Sequence, residues 1–246
     1  MPSPDQTQTL GEHMLLRLPA RRPEADQIRH AVFDFDGTLS LLRAGWQQIM
    51  ISYFDEVLTA TGADETPTDR RQLCIDFITR LTGRQTIYQC MELAQQVSIR
   101  GGDALAADEY KAEFLRRLHE HIDHRRTAIV SGQSPLPFLV SGTLELLDRL
   151  HEKGIVCYLA SGTDVDYVRE EAALLGVDRF FAEDGQPPRI YGALADYQKF
   201  SKRMVIETIL AENHLDGTAL VGFGDGYVEI EETLRAGGWA VAIASD

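Results

Sequence analysis

The chain has 246 residues, 44% of them hydrophobic, which suits either one large domain or a core domain with a smaller insert. Its formal net charge of −14 repels nucleic acids and anionic membranes, so neither is an expected partner. Three cysteines without a CxxC spacing argue against disulfides and zinc, and the lack of a signal-peptide pattern or a membrane-length apolar run predicts a cytoplasmic protein.

The predicted elements in the first half of the chain are a tail, one strand and four helices. Residues 1–28 are expected to form a tail or a loosely docked arm. The apolar run His30–Phe33 predicts a strand that stops abruptly at Asp34. Apolar residues at three- and four-residue spacing then predict four helices, over residues 44–60, 69–81, 85–100 and 106–121.

In the second half of the chain, helices alternate with strands. The pattern predicts helices over residues 143–153, 165–175, 202–213 and 228–236, and strands over residues 155–160, 180–181, 219–223 and 239–243. This alternation predicts an α/β fold in which a Rossmann-like parallel sheet is flanked by helices. The first two strands are too far apart for a loop, so residues 43–135 are expected to form an inserted all-helical cap on a core of residues 29–42 and 136–246.

Acidic residues follow two of the predicted strands, where an open α/β sheet binds its ligands. Asp34 and Asp36 come directly after the first strand, and their two-residue spacing points both side chains the same way if the backbone stays extended. Asp225 follows the strand over residues 219–223, with Glu229 four residues later. An ordinary turn explains an Asp-Gly dipeptide, but it does not explain Asp34 within an apolar run. Carboxylates so close repel unless a cation joins them, and Mg²⁺ prefers carboxylate oxygens.

Phosphate-binding groups are predicted after one strand and at the start of a later helix. Ser161 and Gly162 offer a hydroxyl and backbone amides ahead of a helix, a combination that suits phosphate, although an ordinary strand-to-helix turn has the same composition. Lys202 lies in the first turn of a helix that Ser201 caps, where a cation opposes the helix dipole. This unfavourable placement indicates another purpose for the charge. Lys199 is the rival, and a solvated surface lysine is the alternative for both.

The order of these motifs resembles the haloacid dehalogenase superfamily. The sequence DFDGT at residues 34–38 is the most specific part, followed by Ser161, Lys202 and the GDG at residues 224–226. The resemblance covers the core from His30 onward, and the long insert resembles the helical cap of phosphoglycolate phosphatases and β-phosphoglucomutases. It implies an Mg²⁺-dependent phosphatase, a phosphoric monoester hydrolase, that acts on a small phosphorylated metabolite.

The resemblance also implies a role for each matching residue. Asp34 is the expected nucleophile, which forms an aspartyl-phosphate, and Asp36 is the expected general acid and base. Lys202 is expected to neutralise a phosphate that is bound by Thr38, Ser161 and Gly162. The expected metal ligands are Asp34, Asp36, Asp225 and Glu229. Asp is more frequent in the family at the last of these positions, so a contact through water is the alternative there.

The residues that choose the substrate are expected on the insert. Arg43 lies seven residues after Asp36, and Arg84 and Gln85 follow Gly83 at a break between two predicted helices. Solvated arginines on a helical surface are the alternative. Neither the identity of the substrate nor the oligomeric state, monomer or homodimer, follows from the sequence.

Other functions share parts of this pattern. A phosphomutase uses the same acid and the same intermediate, but it passes the phosphoryl group to a sugar hydroxyl. A non-catalytic phosphometabolite-binding protein would not need the general acid Asp36. Dehalogenases and phosphonate hydrolases are disfavoured because their branches of the superfamily lack this acid. The chain stops at Asp246, directly after a predicted strand, where family members often continue; a shortened chain would have this feature.

Overall fold

A computed structural model describes residues 7–10, 14–17, 23–24, 26–183 and 185–244, and its main feature is a five-stranded parallel sheet. A short antiparallel pair comes first, formed by β1 (Thr7–Leu10) and β2 (Met14–Arg17). The parallel strands are β3 (His30–Phe33), β4 (Val156–Asp164), β5 (Ile190–Ala193), β6 (Leu220–Gly224) and β7 (Trp239–Ala242). Their order is β5-β4-β3-β6-β7, so β3 lies in the middle.

Helices cover the sheet and fill the interval between β3 and β4. They are α1 (Trp46–Thr59), α2 (Pro67–Leu81), α3 (Thr86–Ile99), α4 (Ala107–Val130), α5 (Thr143–Glu152), α6 (Val165–Leu175), α7 (Lys202–Glu212) and α8 (Tyr227–Arg235). No helix in the described ranges has both the length and the apolar character that a membrane span requires. The predicted α/β fold, with a parallel sheet between helices, is confirmed.

Three hydrophobic clusters hold these elements together. Two lie on the faces of the sheet, one centred on Phe33 and Phe181 and the other on Val32 and Ile206. The third consists of fifteen buried residues, all of which belong to α1–α4. Phe54 of α1 is one of its fully buried members. The inserted helices therefore have an apolar interior of their own. The domain limits at residues 43 and 135 stay a prediction.

Several predicted element boundaries were wrong. Residues 180–181 do not form a strand, because Asp178–Phe181 is a 3-10 turn that buries both phenylalanines. The fifth strand of the sheet is instead β5, in a stretch for which the sequence predicted no helix or strand. The strand predicted over residues 155–160 continues to Asp164 through an irregularity in its pairing with β5. The fourth helix extends to Val130, nine residues beyond its predicted end. Much of the predicted tail, residues 1–28, lies outside the described residues.

Helix α8 lies unusually close to β6 because two glycines of the strand face it. A Cβ at Gly222 would overlap the hydroxyl of Thr233, and a Cβ at Gly224 would come within 2.6 Å of Cβ of Glu229. Alternate residues of a strand share a face, and residues four apart share a face of a helix. The G-x-G pattern of β6 therefore allows the close packing that carries Glu229 to the end of the sheet.

We expect Gly222→Ala to destabilise the fold by about 1–3 kcal/mol, the usual cost of inserting a methyl group into a packed core. The shift can be measured as the change in midpoint of urea denaturation. Thr233→Ala removes the overlapping hydroxyl, so the double variant should recover part of the loss. A Gly222→Ala variant as stable as the wild type would contradict the close packing.

Candidate active site

A cavity opens at the carboxyl ends of the parallel strands, between the sheet and the inserted helices. It encloses about 570 Å³ of space, which includes part of its open mouth. From the core, it is lined by Asp34, Asp36, Ser161, Gly162, Thr163, Lys202 and Asp225. From the insert, it is lined mainly by Arg43, Trp46, Arg84, Gln89, Phe114 and Leu118. The structure thus brings residues from distant parts of the sequence to one site.

Lys202 forms a buried ion triad with two carboxylates. Its Nζ lies 2.9 Å from Oδ1 of Asp34 and donates a hydrogen bond to Oε1 of Glu229. All three side chains are at least nine-tenths buried, so the charges depend on one another for compensation. Helix α7 begins at Lys202, as predicted, and the hydroxyl of Ser201 accepts a hydrogen bond from the amide of Met204. The capped helix start fixes the base of the lysine beside Asp34.

The rival lysine lies elsewhere. Lys199 is 74% exposed and its Nζ lies 3.3 Å from Oδ2 of Asp196 on the surface. It belongs to a 3-10 turn before α7 and does not line the cavity. Of the two candidates, the structure places only Lys202 at Asp34.

Asp36 follows Asp34 by two residues and lines the same cavity, where its surroundings favour the protonated form. Burial raises its pKa to about 7; the cation Arg43 opposes the rise, and Glu171 adds to it. Its Oδ2 accepts a hydrogen bond of 2.9 Å from the hydroxyl of Thr163, while Oδ1 has no hydrogen bond among the described residues. A carboxyl group that titrates near neutrality is suited to both giving and taking a proton.

Asp225 lies against the loop after β3. Gly37 has a φ of +78°, and a Cβ there would overlap the Asp225 carboxylate, so only glycine allows this approach. The hydroxyl of Thr38 donates to Oδ1 of Asp225 over 3.5 Å. Burial raises the pKa of Asp225 to about 6, and the charge of Asp34 adds to the rise. The two acids that follow β3 and β6 therefore lie close enough to repel.

The last residues of β4, after Ala160, lie against the insert. The hydroxyl of Ser161 accepts a hydrogen bond of 3.1 Å from the amide of Thr163. A Cβ at Gly162 would lie 2.5 Å from the carbonyl oxygen of Arg84, on the loop between α2 and α3. Glycine at this position is therefore required for the α2–α3 loop to reach the core.

Arg43 is held by a buried carboxylate that the sequence did not single out. Its guanidinium donates to both carboxylate oxygens of Glu171 over 2.8–3.2 Å, and it lies 4.0 Å from Oδ1 of Asp36. Glu171 is fully buried on α6, on the face that also carries Val168 and Ala172. In the sequence, the signal that could have identified this partner is a glutamate within the apolar stripe of a predicted helix. Arg43, predicted to contact substrate, lines the cavity with most of its charge compensated.

The two predicted substrate residues of the α2–α3 loop have different surroundings. Arg84 is exposed and lines the cavity. Gln85 is buried, and its amide donates hydrogen bonds of 2.8 Å to the carbonyl oxygens of Tyr197 and Phe200, just before α7. It is not among the cavity-lining residues. Gln85 therefore links the insert to the core by hydrogen bonds. Its position outside the cavity lining does not support the predicted contact with substrate.

The acidic cluster fits a hard divalent ion through few protein ligands. Among the described residues, no three or more His, Cys, Asp or Glu form a ready metal cage. Mg²⁺ characteristically binds through one or two carboxylates and completes its shell with water and substrate phosphate. Asp34 and Asp225 suit that arrangement, because burial, and after it the charge of Asp34, raises the pKa of Asp225 to about 6, and a cation would offset both effects. Lys202 binds Oε1 of Glu229 and Thr163 binds Oδ2 of Asp36, and the other oxygen of each carboxylate has no hydrogen bond among the described residues.

Comparison with known proteins gives a family and a fold. A family model described as haloacid dehalogenase-like hydrolase matches residues 31–228. By sequence, no curated protein matches the chain.

Solved structures with the same fold share little sequence with this chain. A predicted phosphoglycolate phosphatase from Haemophilus somnus is 16% identical with a TM-score of 0.56, and the match covers 88% of this chain and 85% of that chain. A HAD hydrolase of family IA, variant 3, from Entamoeba histolytica is 18% identical with a TM-score of 0.56, covering 89% and 85%. A β-phosphoglucomutase from Clostridium difficile is 14% identical with a TM-score of 0.53, covering 87% and 84%. At such identities the likeness shows the fold.

The geometry around Asp34 predicts different results for the two lysines. Lys202→Ala should lower the rate of phosphate-ester hydrolysis by at least about 100-fold, the scale of one strong electrostatic contact to a transition state. Lys199→Ala should change the rate little, because its charge lies on the surface. Rates with an aryl phosphate give the comparison, and circular dichroism checks that both variants fold. A larger loss in Lys199→Ala would reverse the assignment.

Proposed function

The chain belongs to the haloacid dehalogenase-like hydrolase family, and on that basis we propose that it is an Mg²⁺-dependent phosphatase of small phosphorylated metabolites. The observation that carries the proposal is the convergence of Asp34, Asp36 and Lys202 on one cavity. These groups supply a nucleophile, a proton donor near neutrality and a buried cation. A purely binding protein has no use for a carboxyl group whose pKa is raised to about 7.

Asp34 is the proposed nucleophile. An oxygen of its carboxylate attacks the phosphorus, the bond to the leaving oxygen breaks, and an aspartyl-phosphate forms. Its Oδ1 accepts hydrogen bonds from Lys202 and from the amide of Phe35, at 2.9 and 2.8 Å, which fixes the carboxylate in place. A fixed nucleophile lowers the entropy that must be lost in the transition state.

Asp36 is the proposed general acid and base. In its protonated form it gives its proton to the leaving oxygen, and as a carboxylate it takes a proton from the water that attacks the aspartyl-phosphate. That second attack releases phosphate and restores Asp34. The hydrogen bond from the hydroxyl of Thr163 to Oδ2 holds the carboxyl group in place at the cavity.

Charge on the phosphoryl group is the main obstacle to this reaction. Lys202 offsets part of it, and Ser161 with the amide of Gly162 offers hydrogen bonds to the phosphate oxygens. The proposed holders of Mg²⁺ are Asp34 and Asp225. When bound, the ion would neutralise negative charge on the transferred group. The predicted metal contacts of Asp36 and Glu229 and the predicted phosphate contact of Thr38 remain predictions.

The proposed role of α1–α4 is that of a cap which excludes bulk water and selects the leaving group. Gly83 and Arg84 support this role, because their loop lies against Glu229 and Gly162 of the core. The same set of groups would serve a phosphomutase if a sugar hydroxyl replaced water as the acceptor. Incubation with a sugar phosphate and its bisphosphate separates the two, since isomerisation without release of phosphate would indicate a mutase.

We expect Asp34→Asn to abolish hydrolysis of phosphate esters, because an amide is nearly isosteric with the carboxylate but is a poor nucleophile. The fold should persist, as judged by circular dichroism and a sharp thermal transition. Release of phosphate from an aryl phosphate measures the loss. Substantial turnover by a folded Asp34→Asn variant would remove Asp34 from this role.

Activity should require a hard divalent ion. Exhaustive treatment with EDTA should remove it, and Mg²⁺ should restore it better than Zn²⁺, because the candidate ligands are carboxylate oxygens and not thiolates. Asp225→Asn should raise the Mg²⁺ concentration that gives half-maximal rate. Full activity after chelation would contradict the proposed metal dependence.

A further inference from the structure

Gln89 is a buried polar side chain on the insert that meets the cavity. It lies one turn into α3, is 3% exposed and lines the cavity that contains Asp34 and Lys202. Its side-chain amide makes no hydrogen bond with any described residue. The polar atoms of Gln89 are not among the enclosed, unpaired atoms of the described residues, so the amide keeps access to the cavity.

Other buried polar side chains show how exceptional Gln89 is. Gln85, one helical turn earlier, bonds to two core carbonyls, and Arg43 is bound by Glu171. Thr233 also lacks a partner among the described residues, but its hydroxyl is enclosed against Gly222, away from the cavity. Gln89 is the one buried polar residue on the cavity wall whose side chain has no hydrogen-bond or ion-pair partner among the described residues.

The surroundings of Gln89 indicate what it could bind. Trp46, Phe114 and Leu118 make much of the insert side of the cavity apolar. The phosphate-directed groups, Ser161 and Lys202, belong to the core side. Gln89 therefore lies on the wall that would face the leaving group. An amide offers both a donor and an acceptor, which matches a hydroxyl group that also does both.

We infer that Gln89 is a specificity-determining residue that binds a hydroxyl of the leaving group, so that the substrates are phosphate monoesters of small polyols or sugars. This inference rests on the proposed phosphatase function. An alkyl leaving group of the same length would leave the amide unpaired and would be a poorer substrate.

The test compares hydroxylated substrates with matched substrates that lack hydroxyls. Phosphates of three- to six-carbon polyols and sugars are each paired with the alkyl phosphate of equal chain length. The wild type should prefer the best hydroxylated ester by at least about tenfold in kcat/KM, the scale of one buried hydrogen bond. Gln89→Met should remove most of that preference and leave the rates with alkyl phosphates and 4-nitrophenyl phosphate within about twofold.

A stability measurement separates specificity from a structural role. Gln89→Met removes an unpaired amide at nearly constant volume, so its thermal midpoint should equal or exceed that of the wild type. Gln95→Met, on the exposed face of the same helix, is the matched control and should change neither quantity. A lower midpoint together with equal loss on all substrates would overturn the inference.

The outcomes also distinguish this inference from the proposed function. If the wild type hydrolyses 4-nitrophenyl phosphate but does not prefer hydroxylated esters, the inference fails and the phosphatase stands. If Gln89→Met keeps the wild-type preference for hydroxylated esters, the inference likewise fails and the phosphatase function stands. If the wild type hydrolyses no phosphate ester in the presence of Mg²⁺, both fail.

Discussion

The buried cation of Lys202 between Asp34 and Glu229 is the interaction on which the arrangement of this site depends. Moving each charge out of water costs several kcal/mol, and only close partners offset that cost. The three residues come from the end of β3, the start of α7 and the start of α8. Their ion triad therefore fixes how two helices meet the central strand. Gly222 and Gly224 allow it, because they let α8 approach β6 closely.

Negative charge exceeds positive charge in the rest of the site. Arg43 is compensated by Glu171, so it relieves Asp36 only in part, and the pKa of Asp36 remains raised to about 7. Asp225 faces Asp34 with little cationic help, and its pKa is raised to about 6. Such an excess of carboxylates is unfavourable in the absence of a further cation. The same excess favours binding of a divalent cation together with an anionic phosphate, since the positive charge of the ion compensates the charges of both the carboxylates and the phosphate.

One short loop of the insert, between α2 and α3, lies directly against the core at this site. Because Gly83 and Gly162 have no side chains, the backbone of this loop can approach the core closely. The side-chain amide of Gln85 then joins the loop by hydrogen bonds to the segment that precedes Lys202. The position of this loop is therefore tied to the start of α7, where the cation is anchored. Gln89, one turn further along α3, differs because its amide is left for a molecule in the cavity.

The sequence by itself determined the α/β alternation, the acids that follow β3 and β6, and the start of α7 at Lys202, because apolar period, strand ends and helix caps are local signals. It missed β5, a four-residue strand among glycines and prolines, and it read a strand into two buried phenylalanines that pack from a 3-10 turn. Only the tertiary structure decided that Arg43 binds Glu171, 128 residues away, that Gln85 bonds to core carbonyls and that Gln89 does not. Such pairings depend on how distant elements pack, and the spacing of residues along one chain carries no record of them.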